Sequence, residues 1–489
     1  MLINVYEAGV GEALRQTAGG RLLRYRAVDD EILVAQVGGT PRQIGRQYGM
    51  LLGDRIRRTA DRMAGMFAAA GIPPALLNDI LDNAWQRLRP HTPERFLEEM
   101  DAIAEGAQAA GFALGAKDLW RITTVTNFDL YKREERIFEF LSAEAAETLQ
   151  RAMGEMPPGM SCTMFAAWGG RTVDGKMFST RNLDWVAQTG MHEDRLVTVC
   201  RPEGRHAFAS AGYAGVIGCL SGMNEKGITL SEVGAFSVRE QLDGIPWTFM
   251  ARQALEESDS LEDAVRIITT AKHTIGYNYL IADGDPENAG TPRFQPRAAA
   301  FETNHVCCEV FYEDDPKEHA AAWIDPEGGA HPYGLPMTEA IMRADMAFGE
   351  QTRALQATDN GPGAPENDGN PLGRDGEETT YARYHRPMHD MIRAYESGRE
   401  YIFPVRGVKV IESGPPRKIG PVETMTIAAT VAHNVELLSQ QDWNVMSVVY
   451  APTDLEFWTA FESCDTAGNW RNAPDSGYWH FNLRELLHE

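Results

Sequence analysis

Hydrophobic positions in the first third of the chain recur at helical spacing. In GGTPRQIGRQYGMLLGDRIRRTADRMAGMFAAAG, residues Ile44, Tyr48, Leu51, Leu52, Ile56 and Met63 form a single stripe, the recurrence that lets a helix bury one face. Thr40 stands before it as N-cap, Pro41 occupies the first helical position, Gln43 follows three after the cap, and Gly71 supplies a stop; these are helix start and stop signals. ALLNDILDNAWQRL, ERFLEEMDAIAEGAQAAG and REERIFEFLSAEAAETLQRAM repeat the pattern, while EILVAQV upstream is predicted as a strand. GEMPPGM then interrupts with turn chemistry.

At Cys162 the texture changes to hairpins. Strands are predicted over Thr163–Trp168, Lys176–Asp184, Leu196–Arg201, His206–Tyr213, Val216–Met223 and Gly227–Gly234, separated by GGRTVDG, PEGR and MNEKG. TFMARQALEES and LEDAVRIITTAK return to helical spacing, and GYNYLIAD, AAAFET and VCCEVFY to strands. Residues 358–380, TDNGPGAPENDGNPLGRDGEETT, are rich in Gly, Pro, Asn and acids and are predicted as an exposed loop. A helix, RPMHDMIRAYES, and three predicted strands, TMTIAATVAH, NVMSVVYAP and LEFWTAFES, follow. Hairpins, then helices, then hairpins again describe a layered α+β fold with antiparallel sheets rather than alternating βαβ units.

Composition narrows the function. With 43% hydrophobic and 24% charged residues the chain is an ordinary globular one. Its formal charge of −24 repels phosphate backbones, and no basic stripe reverses this locally, so nucleic-acid binding is not expected. MLINVYEAGVGEALRQ carries no basic region followed by an apolar one, and no run of about 18 apolar residues exists to span a bilayer. A cytoplasmic protein without membrane contact is the expectation. No P-loop or dinucleotide fingerprint occurs, so no cofactor is expected. Nor is a metal: His385 and His389 are four apart, but Pro387 lies between them and the glutamate of an H-E-x-x-H site is missing. DGDPENAG at Asp283–Gly290 has Asn288 where a calcium loop needs glycine. The six cysteines, Cys162, Cys200, Cys219, Cys307, Cys308 and Cys464, form no C-x-x-C pair and read mostly as small buried residues of a reducing compartment. Cys307 and Cys308 are expected to point to opposite faces of a strand.

Only Cys162 has reactive company. In SCTMFAAWGGRTVDGKMFSTRNLDW it opens a hairpin whose second strand ends in Arg181-Asn182-Leu183-Asp184, an expensive choice where strands favour β-branched and aromatic residues. A thiol with a pKa near 8.5 needs a base or a nearby cation to become a nucleophile at neutral pH. The α-amine of an N-terminal cysteine, with a pKa of about 7.7–8.0, supplies that base within one residue. Since Cys162 is internal, the scheme demands cleavage of the Ser161–Cys162 bond. Attack of the thiol on the Ser161 carbonyl gives a thioester that water opens, provided the fold strains the bond and stabilises the oxyanion.

Cys-Thr opening a strand, a glycine-containing turn, and a second strand ending Arg-Asn-x-Asp-aromatic resemble the N-terminal-nucleophile (Ntn) cysteine hydrolases. Within them the pattern is most similar to the acyl-coenzyme A:6-aminopenicillanic acid acyltransferase family, and more distantly to choloylglycine hydrolases and acid ceramidase. VGGTPRQIGRQYGMLLGDRI, NEKGITLSEVG, GYNYLIADGD, FETNH and TTYARYHR are similar to further landmarks of the acyltransferase family. The resemblance implies a four-layer αββα sandwich made as a precursor. Self-cleavage would yield a mostly helical segment, residues 1–161, and a catalytic segment, residues 162–489, that remain together as an α/β heterodimer, with further oligomerisation left open. It implies that Cys162 is the autoproteolytic and catalytic nucleophile, that Asp184 holds the new α-ammonium by a charge-assisted hydrogen bond, and that Arg181 favours the thiolate or orients the site. Asn278 would donate its amide to the oxyanion. The implied reaction is cleavage of a non-peptide amide in a small N-acyl substrate through an acyl-thioester, with transfer to water or an amine.

Alternation puts Arg181 and Leu183 on one strand face and Asn182 and Asp184 on the other, so a bend or bulge must bring both charged groups to the thiol. Ser161 stands where the acyltransferase has glycine, and the hairpin is slightly longer than in the relatives. Two alternatives remain: an uncleaved Cys/His hydrolase using His305 or another histidine as base, and a catalytically silent Ntn scaffold that binds a small ligand.

Overall fold

A computed structural model describes residues 3–69, 71–127, 162–235, 237–356, 385–403, 407–432 and 442–488. The helical pattern over residues 133–153, the GEMPPGM turn, Ser161 and the 358–380 loop lie outside the described residues.

Among the described residues, seventeen strands build two stacked sheets. In chain order they are β1 (Val5–Glu7), β2 (Glu12–Thr17), β3 (Gly20–Arg26), β4 (Glu31–Gly39), β5 (Cys162–Ala167), β6 (Phe178–Val186), β7 (Arg195–Pro202), β8 (Phe208–Tyr213) and β9 (Ser221–Asn224). They continue with β10 (Ile228–Gly234), β11 (Tyr277–Asp283), β12 (Arg297–Thr303), β13 (Cys308–Phe311), β14 (Ala340–Arg343), β15 (Asp442–Ala451), β16 (Glu456–Phe461) and β17 (Tyr478–Asn482). The first sheet runs β1-β17-β16-β15-β6-β5-β14, and the second β13-β12-β11-β10-β9-β8-β7-β4-β3-β2. Pairing is antiparallel except at β1–β17 and β4–β7.

The longer helices are α1 (Pro41–Ala69), α2 (Pro74–Leu88), α3 (Glu94–Ala109), α4 (Ala116–Thr126), α5 (Trp247–Glu257), α6 (Leu261–Thr270), α7 (Arg386–Ser397) and α8 (Pro421–Ala432). Helix α8 covers β5, β6 and β15 with α7 against it, while α1, α5 and α6 cover the second sheet; between the sheets, β10 and β11 lie over β5, and β11 and β12 over β14. This is the expected αββα layering, with an apolar core running between the sheets and beneath the helices. Helices α1 and α3 approach closely because glycines line the contact: a Cβ on Gly49 would stand 2.0 Å from the Ile103 carbonyl oxygen.

Three expectations are corrected. TMTIAATVAH is not a strand; Thr424–Ala432 forms most of α8. Its stripe is invisible in the sequence because Thr424, Met425 and Ile427–Ala432 are buried on nearly every side, between α7 and the sheet. The threonine hydroxyls are absorbed by the helix itself, Thr424 donating to the Gly420 carbonyl at 2.8 Å and Thr430 to the Thr426 carbonyl at 2.7 Å. Val216–Met223 contributes strand only from Ser221, since Gly215 has φ +96° and Gly218 abuts Thr248. Cys307 sits before β13, in a turn where the Asn304 carboxamide oxygen accepts from the Val306 and Cys307 amides. Strands β1 and β2 went unread because their outward, two-faced polarity leaves no clean alternation, and β3 because its buried Leu22 and Leu23 are adjacent.

Candidate active site

The β5–β6 hairpin sets the site. Its register places Cys162 opposite Leu183, Thr163 opposite Asn182 and Met164 opposite Arg181. Facing partners share a side of the sheet. Asn182 donates to Thr163 Oγ1 at 2.9 Å and to the Ala428 carbonyl at 2.8 Å, which fixes that pair on the α8 side. Cys162 and Arg181 therefore turn the other way, toward the second sheet.

Arg181 is 1% exposed. Its Nε donates to the Glu232 carbonyl at 2.8 Å and its Nη2 to Glu232 Oε2 at 2.7 Å. Among the described residues, Arg181 Nη1 has no hydrogen-bond partner. A buried donor left unsatisfied costs about 1–3 kcal/mol, more when charged, so this guanidinium nitrogen calls for a partner.

Asp184 lies at the end of β6, where Asn444 Nδ2 donates to its Oδ1 at 2.8 Å. The ladder slips between Asn444 and Met446, opposite Asp184 and Leu183. The β5–β6 register itself is regular, and the irregularity lies in the neighbouring strand β15.

Cys162 is 3% exposed. Burial pushes its thiol pKa up strongly; Arg181 opposes this, the Glu232 and Asp184 carboxylates add to it, and a hydrogen bond from the Asp184 backbone N–H pulls it back. With desolvation dominant, the thiol stays protonated until a base is provided. Arg181 and Asp184 thus both lie near enough to act on the Cys162 thiol.

Asn278 is a correction. Its Nδ2 donates to the Ala344 carbonyl at 2.8 Å and to the Met346 carbonyl at 2.8 Å. Both amide hydrogens are spent on backbone, so this group is not a free oxyanion donor. His305 is occupied elsewhere, its Nδ1 2.9 Å from the His273 carbonyl. Glu232 is the residue sequence reasoning missed. A lone carboxylate within the apolar alternation of GITLSEVG was the available signal, since charge at a buried strand position requires a partner.

Residues 171–311 match the family model for acyl-coenzyme A:6-aminopenicillanic acid acyl-transferase. The family likeness is borne out. Arg181, Asp184, Glu232 and Asn278 fall within the acyl-transferase match, and Cys162 precedes it. Two curated relatives are similar over part of the chain: an uncharacterized protein of Archaeoglobus fulgidus, 24% identical over 59% of this chain and 49% of its own, and protein dcd1A of Dictyostelium discoideum, 25% identical over 53% of this chain and 58% of its own. The chain thus spans about half the length of these relatives. Among solved structures, a Caenorhabditis elegans N-acylethanolamine-hydrolyzing acid amidase ortholog aligns with TM-score 0.35 and 12% identity over 60% of this chain and 93% of that one. A mutant conjugated bile acid hydrolase from Clostridium perfringens aligns with TM-score 0.35 and 13% identity over 65% of this chain and 96% of that one.

Proposed function

We propose that the chain is a self-processing cysteine Ntn amidohydrolase that cleaves a non-peptide amide through an acyl-thioester on Cys162. The observation that carries this reading is a buried cysteine at the first residue of β5 whose thiol feels Arg181, Glu232 and Asp184 together. In the precursor the Cys162 thiol attacks the Ser161 carbonyl. The C–N bond breaks, the nitrogen takes the proton to become the α-amine, and water hydrolyses the thioester, leaving a Ser161 carboxylate and a free thiol. In turnover the new amine accepts the thiol proton as sulfur attacks the substrate carbonyl, then returns it to the departing amine. Asp184 would hold the α-ammonium, and Arg181 Nη1 would donate to developing negative charge. Water resolves the acyl-thioester.

The two products of processing, 161 and 489 − 161 = 328 residues long, have reasons to stay associated. Strand β4 pairs with β7 and β1 with β17 across the cut, and Arg252 forms a bidentate pair with Glu99 at 2.7 Å. Denaturing electrophoresis of purified protein tests the proposal. Two bands are expected for wild type and one intact band for Cys162→Ala, with amide-cleaving activity only in the former. An uncut wild type with full activity would refute self-processing.

A further inference from the structure

Asn444 stands near the start of β15, in register with Asp184 of β6, and is wholly buried. Its Nδ2 donates to Asp184 Oδ1 at 2.8 Å and to the Leu183 carbonyl at 3.3 Å. Two acceptors on one side fix the nitrogen there, since the reversed carboxamide would set its oxygen against both. The other end is orphaned: among the described residues Asn444 Oδ1 is buried without a hydrogen-bond partner. Such an atom is costly to keep in a core and requires a reason. The ladder slips directly after it, leaving Val445 with no partner in β6, and bulges of this kind re-aim a side chain at a strand end.

The position of this atom supplies the reason. Cys162 pairs with Leu183, and because the strands run antiparallel the Cys162 backbone nitrogen lies on the Asp184 side of that pair. The Asp184 backbone N–H hydrogen bonds the Cys162 thiol, so Asn444 holds by its side chain the residue that meets the nucleophile through its backbone. In the uncut chain the Cys162 nitrogen is an amide with a single hydrogen. Cleavage turns it into an ammonium with three, each needing an acceptor in a buried site. A carboxylate supplies charge and acceptors, but Asp184 Oδ1 already takes one hydrogen from Asn444. The unused carboxamide oxygen beside it matches the donors that only the cut creates.

We propose that Asn444 completes the cradle of the liberated α-amine: its Nδ2 fixes the Asp184 carboxylate, and its Oδ1 accepts a hydrogen from the new amine. This rests on the reading of Cys162 as a self-liberated N-terminal nucleophile. The carboxamide is then half-satisfied in the precursor and fully satisfied in the processed enzyme.

The experiment measures the pH dependence of Cys162 acylation by p-nitrophenyl acetate in wild type, Asn444→Asp and Asn444→Leu, with intact-mass spectrometry counting cut chains and acyl adducts. Both variants are expected to cut themselves, because no amine exists until the bond has broken. The neutral amine takes the thiol proton, so the acylation rate rises as pH passes through the amine pKa. In Asn444→Asp a second carboxylate favours the charged ammonium, and the rise should move to higher pH by about 1–3 units. Asn444→Leu is close in size but offers no acceptor, and its plateau rate should fall by about tenfold or more as the amine loses its placement. Asn444→Asp, nearly isosteric with asparagine, keeps the test alive if the leucine variant fails to fold. A rise that stays at the wild-type pH or moves lower in Asn444→Asp, the behaviour of a carboxamide that merely braces the strand, overturns this inference alone. So does a full plateau rate in Asn444→Leu, and so does a folded variant left uncut, which would put Asn444 in the processing step. A wild type never cut, or cut but never acylated at Cys162, overturns the inference together with the reading beneath it.

Discussion

Glu232 offers the sharpest test of how the site is held. Its carboxylate meets the Arg181 guanidinium at 2.7 Å, with the side chains 4% and 1% exposed. Two unit charges at that distance attract by about 6 kcal/mol at an effective dielectric near 20. Much of this offsets the cost of taking both ions out of water, so the pair's net value is small. Removing one partner is different: it strands the other charge in the core, at about 3–5 kcal/mol. Glutamine keeps a neutral acceptor for Nη2, worth about 1 kcal/mol, so Glu232→Gln is expected to cost about 2–4 kcal/mol. Against a typical domain stability of about 5–15 kcal/mol, the variant should fold but unfold at clearly lower urea. The thiol should respond in the opposite sense. Glu232 pushes the Cys162 pKa up and Arg181 pushes it down, so Glu232→Gln should move the alkylation of Cys162 by iodoacetamide to lower pH. Urea titration and intact-mass measurement of alkylation across pH read the two effects separately. An unchanged urea midpoint, or an alkylation midpoint shifted upward, would refute the reasoning.

Two further outcomes are expected away from the site. Burial lowers the His480 pKa, but the carboxylates of Glu456 and Glu7 outweigh it and leave it raised, with His480 Nδ1 2.7 Å from Glu7 across the β1–β17 pair. The stability it contributes is fully present below the ordinary imidazole pKa of about 6.5 and is lost as pH rises through the higher folded value. Thermal unfolding of wild type and His480→Gln should therefore differ most near pH 5.5 to 6 and converge in alkali; a gap that widens with pH would contradict this. Gly49→Ala should destabilise despite the helix propensity of alanine, worth about 1 kcal/mol. The new Cβ would lie 2.0 Å from the Ile103 carbonyl and force α1 off α3, at about 1–3 kcal/mol for overpacking. A urea midpoint at or above that of wild type would count against that close approach.

What the chain reveals on its own is what short-range backbone geometry dictates. The stripe of Ile44, Tyr48, Leu51, Leu52 and Ile56 yields α1, and the alternation on both sides of GGRTVDG yields the β5–β6 hairpin. The improbable sequence Arg181-Asn182-Leu183-Asp184 behind a cysteine points to the candidate site, because charge in a strand is costly without a purpose. Partners distant in sequence were decided by tertiary structure alone. Glu232 meets Arg181 only because two sheets stack, and the Asn444 amide that donates to Asp184 belongs to a strand some 260 residues away. Asn278 could be recognised as special, but its amide was claimed by carbonyls from another strand's end. Helix α8 was misread because burial on nearly every side erases the periodicity that advertises a helix. Local preference is written at spacings of two to four residues, whereas hydrogen-bond satisfaction in a core is settled among whichever groups the packed layers bring face to face.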